Sequence, residues 1–410
     1  APATGASPAQ LEKQLTPFAV TTNNCIIELL QPQGQNRHAI FTAKESEVLT
    51  YQYERNPEEA RVSHTLNLQF DEYGNVLESA KVAYPRRIAD PSLPADAAAA
   101  QAQTFISYRR ARFTDDKTAG DNHRLRVPSE EHNFELRGIQ KAGAYYTLND
   151  FNNILALAVD IPFRQFDNAP PPGAPEKRLI EHLRITYYND GLSGPLPLHQ
   201  QGERGFEYET YQLAYTPDLL NDIYDGKAIN AIMLEGRYID LDGDAHWWVR
   251  SGTLQYKLPA ETAADAENRF FQPISYTDPF GGVTKVTYLD NLFLFIGSTE
   301  DAVGNITSIE QLDYRTLTVR RLKDHNDNLS EAIADELGMI KATALLGKGA
   351  EADDLAGLSE FTTPAEEAAI ADFFNSANST ELVARGKALL AHATTRFVYD
   401  LAAFQTSGSP

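Results

Sequence analysis

Asp278-Pro279-Phe280-Gly281, Asp301-Ala302-Val303-Gly304 and Asp324-His325-Asn326-Asp327 open three successive units whose leading aspartates lie 23 residues apart. The register persists inside each unit. Six residues after the aspartate stand Thr284, Thr307 and Ser330; eight after, Val286, Ile309 and Ala332; twelve after, Asp290, Asp313 and Glu336. Since a strand of about nine residues spans roughly 30 Å, such a unit holds two short strands and two turns, with acidic, Gly and Asn residues where turns are needed. Asp278, Gly281, Asp290, Asp301, Gly304, Asp313, Asp324 and Glu336 are therefore the expected structural turn residues. No hairpin buries its own apolar face, so neighbours must pair edge to edge into a continuing sheet. Three units do not close a barrel.

Outward from these units, spacing-two alternation dominates, which predicts strands. Leu66, Leu68 and Phe70 alternate with polar residues, Asp71-Glu72-Tyr73-Gly74-Asn75 supplies turn formers, and Val76, Glu78, Ala80, Val82 and Tyr84 begin the return strand. Strand-like runs also cover 144–148, 154–161, 183–188, 231–241, 246–256 and 285–296. The Pro- and Ala-rich stretches 91–103 and 168–177 read as exposed excursions, because prolines remove backbone donors. Helices are few. Thr216 caps one with Pro217 at its first position, running to Tyr224. Thr363-Pro364-Ala365-Glu366 is a capping box ahead of a helix to about Phe374, and Asn378 or Ser379 caps another to about Ala391, together a helical hairpin beside the sheet.

The 42% hydrophobic content supports one large core or two ordinary ones. A formal charge of −21 repels phosphate backbones and anionic lipid, so nucleic acid is not an expected partner. No stretch has the apolar length of a membrane-spanning helix, and the first residues lack a signal-peptide layout. The single cysteine, Cys25, lies in an apolar run and reads as a small core hydrophobe.

Motifs for chemistry fall short. Asp240-Leu241-Asp242-Gly243-Asp244 has glycine fourth and Ser251 twelfth, where an EF-hand needs glycine sixth and glutamate twelfth, so a tight turn is expected. With Trp247 and Trp248 as sugar platforms, the same carboxylates suggest an alternative, a secreted carbohydrate-active or carbohydrate-binding β protein. The nine histidines show no zinc spacing. Leu346-Gly347-Lys348-Gly349 lacks the P-loop pattern. Arg109-Arg110-Ala111-Arg112 reads as a solvated strand edge. No catalytic, metal or cofactor residue is expected.

Tyr288-Leu289-Asp290, Asp301 with Gly304-Asn305, and Phe397-Val398-Tyr399-Asp400 resemble the Tyr-Asp (Rhs-type) repeats of toxin shells. Tyr51-Gln52-Tyr53-Glu54-Arg55-Asn56-Pro57, Tyr84-Pro85-Arg86-Arg87, Arg124-Leu125-Arg126-Val127-Pro128, Lys177-Arg178-Leu179-Ile180-Glu181-His182, Gly194-Pro195-Leu196-Pro197-Leu198 and His246-Trp247-Trp248 are similar to the middle and C-terminal part of the B component of insecticidal Tc toxin complexes. The second unit reverses the pair, Asp313-Tyr314, and the third, Ala334-Asp335-Glu336, has no tyrosine. The resemblance implies a mainly β fold, an antiparallel sheet strip forming part of a hollow shell, with a small helical insert. It implies a β-rich region over 1–265, three repeats over 266–347, a loop and helical hairpin over 348–393 and a further Tyr-Asp-type strand from 394 to 410. The implied role is non-catalytic containment of the toxic C-terminus of a C component, in a secreted or released complex. The implied partners are the rest of the B component, the C component with its toxin and, indirectly, the A-component channel; membrane insertion by this segment is not implied.

Overall fold

A computed structural model of the chain describes residues 7–8, 17–54, 56–161, 173–347 and 352–399. The fold is mainly antiparallel β, in two units that meet at Ser251 and Gly252.

The first unit is one sheet of eleven strands: β1 (Ala19–Gln31), β2 (Ile40–Gln52), β3 (Arg61–Phe70), β4 (Val76–Ala83), β5 (Phe105–Phe113), β6 (Pro128–Arg137), β7 (Val159–Asp160), β8 (Glu176–Tyr187), β9 (Glu207–Tyr215), β10 (Ile239–Asp240) and β11 (Trp247–Arg250). They pair in the order β1-β2-β3-β4-β5-β6-β8-β9-β11-β10, with β7 added in parallel beside β8. Leu66, Ala80, Val82, Ile106, Tyr108 and Leu136 come from adjacent strands β3 to β6 and form one buried cluster. It is covered by Tyr146, Phe151 and Ile154. Phe151 and Ile154 belong to a 3-10 turn at Leu148–Phe151 and a short helix at Ile154–Leu157, with Tyr146 in the loop ahead of them; strands were expected over 144–148 and 154–161, of which only Val159–Asp160 is strand. The buried positions Phe151, Ile154 and Ala158 recur at helical spacing, and Thr147 with Asp150 forms a capping box that turns the chain.

Several other expectations are corrected here. Residues 231–241 begin in the helix Asn230–Glu235, which buries Met233, and only Ile239–Asp240 is strand. The excursion at 91–103 contains the exposed helix Ala95–Gln101. Cys25 is exposed, because β1 pairs only with β2 among the described residues and every residue of β1 is exposed. The arginines of 109–112 lie on β5, an interior strand, where Arg109 pairs with Glu131 at 2.7 Å. Of the excursion at 168–177, residues 168–172 lie outside the described residues, as do Lys348, Gly349 and Asp400.

The second unit is a nine-stranded sheet in strict chain order: β12 (Thr253–Gln255), β13 (Ser275–Thr277), β14 (Val283–Tyr288), β15 (Ile296–Glu300), β16 (Ile306–Asp313), β17 (Thr318–Lys323), β18 (Leu329–Ala334), β19 (Ile340–Leu346) and β20 (Thr395–Arg396). A helix not anticipated from the sequence, Ala263–Asn268, precedes β13. The helical hairpin Pro364–Phe374 and Ser379–Leu390 follows β19, capped by Thr363 and Asn378. Half of the expected capping box is absent. Thr363 accepts from the Glu366 N–H at 3.3 Å, but the Glu366 carboxylate turns to Lys341 and Arg396, whose buried charges compete for it. Ile333, Ala342 and Ala393 form the buried cluster of this unit, packed by Leu355, Leu358 and Leu390. β12 to β17, by contrast, contain no buried residue.

Candidate functional site

Five turns share one design. In each, an aspartate N–H donates to the carbonyl four residues on, and its own carbonyl accepts from the N–H three residues on. For Asp278 these distances are 2.9 and 3.1 Å; for Asp301 and Asp324 they are 3.0 and 3.1 Å. Asp71 and Asp335 repeat the pattern. This is a three-residue hairpin loop whose last residue has positive φ. The aspartate Oδ1 then accepts from the N–H groups two and four residues on, at 2.8 and 2.7 Å for Asp278 and at 2.9 and 2.9 Å for Asp301. Where Asn stands fourth, its amide also donates to Oδ2, as in Asn75, Asn305 and Asn328. The side chain thus replaces the water the turn's orphan amides would otherwise need.

The N–H groups and amide of Asn305 hold the Asp301 carboxyl below the usual range, and the amide and N–H of Asn328 do the same for Asp324. A depressed folded value means these turns keep their full contribution above the ordinary carboxylate pKa and lose it as pH falls through the lower folded value.

The positive-φ slot is filled by Gly74, Gly281, Gly304 and Gly338, but by Asp327 in the third unit, at φ +62°. Gly304 has φ +90° and open space around its missing Cβ, so Gly304→Ala is expected to cost about 1–2 kcal/mol from backbone strain alone. Asp327→Gly should shift stability the opposite way, by less than about 1 kcal/mol, since Asp tolerates this region better than most residues. Urea unfolding followed by circular dichroism reads both, and equal signs would contradict the turn argument.

The residues twelve positions on do not share a conformation. Asp290 heads a 3-10 turn at φ +54° and accepts from the Tyr314 hydroxyl at 2.5 Å. Asp313 ends β16 and accepts from the Arg315 N–H and the Thr316 hydroxyl at 2.8 and 2.9 Å. Glu336 is the second residue of the turn that Asp335 heads, and its carboxylate reaches Thr362. Asp335 was the turn residue not anticipated, and Asp71, already read as the head of a hairpin turn, shares the same design. Their signal was legible as aspartate followed three residues later by glycine, in Asp71-Glu72-Tyr73-Gly74 and Asp335-Glu336-Leu337-Gly338.

The Asp240 to Trp248 segment is a braced corner. Asp240 accepts from the Asp244 and Ala245 N–H groups at 3.1 and 3.0 Å, Asp242 pairs with Arg184 at 2.8 Å, and Asp244 pairs with His246 at 2.9 Å. Trp247 and Trp248 are both buried, because a register shift between them breaks the alternation of β11. His182 meets Trp248 edge-on and Arg184 lies over its ring, which removes the exposed platform that sugar stacking needs. Elsewhere on this unit, Arg126 bonds Glu72 and Asp116 at 2.5 and 2.8 Å, bonds Asp71 at 3.4 Å and stacks on Tyr73, bracing the Asp71 turn. No helix among the described residues is long and apolar enough to cross a membrane.

Residues 8–139 match the family model described as the insecticide toxin TcdB middle/C-terminal region. Solved structures of TcdB2-TccC3 and TcdB2-TccC3-Cdc42 have TM-scores of 0.65 and 0.62, each at 19% identity. They cover 87% and 85% of this chain, while it spans 17% and 16% of theirs. A Photorhabdus luminescens Tc holotoxin pore matches with TM-score 0.62 at 19% identity, over 85% of this chain and 16% of that one. No curated protein matches the chain.

Proposed function

We infer, from the match of residues 8–139 to the family model of the insecticide toxin TcdB middle/C-terminal region, that this chain is a stretch of wall from the B component of a Tc toxin complex. The wall shields the toxic C-terminus of a C component before translocation, and the chain itself performs no catalysis. The observation that carries this reading is the strip β12 to β17, six consecutive strands without a buried residue. A strip whose strands bury no residue has little apolar burial to hold it; its sense lies in lateral continuity with more sheet. Its turns are built from local backbone satisfaction, with their carboxylates spent on their own amides, and not around a convergent cleft. The association printed for the solved relatives, TcdB2 with TccC3, suggests the partner class. Release from a bacterial cell follows from the same reading.

The test is co-expression with a C component bearing its toxin, followed by protease challenge. Protection of the toxin that disappears when this region is omitted is the expected result. Digestion at equal rates with and without it would overturn the reading.

A further inference from the structure

One face of the first sheet gathers donors that lie far apart in sequence. His132 on β6 and His182 on β8 are direct cross-strand partners, with ring centroids 3.7 Å apart. Glu130 stands two residues before His132 and so on the same face. Its Oε1 lies 2.9 Å from His182 Nε2. One ligand atom from each of the three falls within 4.8 Å of the other two, and Glu130 and His182 are buried.

We propose that Glu130, His132 and His182 form a binding site for a divalent transition metal of the zinc class. Two imidazoles and one carboxylate are a zinc donor set; tetrahedral ligand bonds of about 2.0–2.2 Å put donors about 3.3–3.6 Å apart, so Glu130 Oε1 and His182 Nε2, at 2.9 Å, must open slightly while wider pairs, within 4.8 Å, close by up to about 1.5 Å through side-chain rotation. A further histidine, His199, stands beside the glutamate. The Ser129 hydroxyl donates to the Arg112 carbonyl at 3.1 Å, so His199 Nδ1, 2.8 Å away, must donate to that hydroxyl. His199 Nε2 faces Glu130 Oε2 at 3.6 Å, an ion pair when the imidazole carries both protons, and Arg112 Nη1 lies 3.8 Å from the same oxygen. His199 is not one of the three donors that converge within 4.8 Å, and it braces the Glu130 carboxylate from outside the cluster. Arg184 works against the site, donating from Nε to Glu130 Oε1 at 3.0 Å. However, it is also held by both Asp242 oxygens, at 3.0 and 2.8 Å, and can keep that anchor when the metal takes the glutamate oxygen. A bound ion would cross-link β6 to β8.

The test titrates the chelator-treated chain with Co2+ and then competes with Zn2+. Trp248 lies 4.7 Å from the His182 ring, so a bound paramagnetic ion should quench tryptophan fluorescence. The expected result is saturable binding of one Co2+ per chain with visible d–d bands, displaced by Zn2+. His132→Ala and Glu130→Gln should each weaken it about tenfold or more, while His325→Ala, in the second unit, leaves it unchanged. If His132→Ala does not fold, His132→Gln carries the comparison. No saturable binding by the unaltered chain, or binding unaffected by the His132 and Glu130 substitutions, overturns the proposal.

Discussion

Glu366→Ala is expected to destabilise the second unit by about 3–5 kcal/mol. Glu366 lies in the first turn of the helix Pro364–Phe374 and is the shared anion of two cations. Its Oε2 accepts from Lys341 Nζ at 2.7 Å and its Oε1 from Arg396 Nη2, and the two basic side chains are each only 5% exposed. Removing the carboxylate strands both charges in a site from which water is excluded. Lys341 would retain the Ser359 carbonyl at 2.9 Å. Arg396 would retain less, because its Nε and Nη1 already have no hydrogen-bond partner among the described residues. The loss exceeds that of an ordinary surface ion pair, worth about 0–1 kcal/mol. Glu367→Ala, one residue on, is the control and should change stability by less than about 0.5 kcal/mol. Tryptophan fluorescence cannot read the experiment, since both tryptophans lie in the first unit. Far-ultraviolet circular dichroism, or hydrogen exchange of the β18 and β19 amides, can. A loss in Glu366→Ala no larger than in Glu367→Ala would show that the cations find other partners.

The same glutamate illustrates what sequence could tell. Thr363-Pro364-Ala365-Glu366 located the helix start correctly, because N-capping and proline geometry are local. It misassigned the glutamate side chain, because the competitors, Lys341 and Arg396, arrive through strand pairing. The strand-rich, antiparallel character and the helical hairpin were legible for the same local reasons. Residues 154–157 were not, since a short apolar run fits strand and helix alike until the sheet it must cover is known. Cys25 went wrong in the opposite sense: Cys25-Ile26-Ile27-Glu28-Leu29-Leu30 has core composition but occupies a strand that nothing described covers. In the repeats, the leading aspartates were readable because the turn is written into one five-residue stretch. The positions twelve on were not, because loop length between the paired strands varies from unit to unit. The Glu130, His132 and His182 cluster had no linear signal at all; the register of β6 against β8 creates it.

That contrast between core composition and actual burial yields a paired prediction. Leu66→Ala should destabilise the first unit by about 3–5 kcal/mol, whereas Leu29→Ala should change it by less than about 0.5 kcal/mol. Leu66 is 0% exposed, pairs directly with Ala80 and belongs to the buried cluster that Ile106 and Leu136 continue on β5 and β6, so truncation opens a cavity that the sheet backbone cannot collapse to fill. Leu29 is 55% exposed on β1 and gives up little burial. Urea unfolding followed by Trp247 and Trp248 fluorescence reads both, and similar losses would mean that the β1–β2 hairpin is buried in solution. The wall reading adds a second condition. If Ile27, Leu29, Leu30 and Phe41 are exposed only because the neighbouring wall is absent, then Leu29→Ala, silent in this chain, should weaken its association with flanking sheet. A substitution that is neutral in both settings would leave the exposed apolar hairpin without a purpose and count against lateral continuation at that edge.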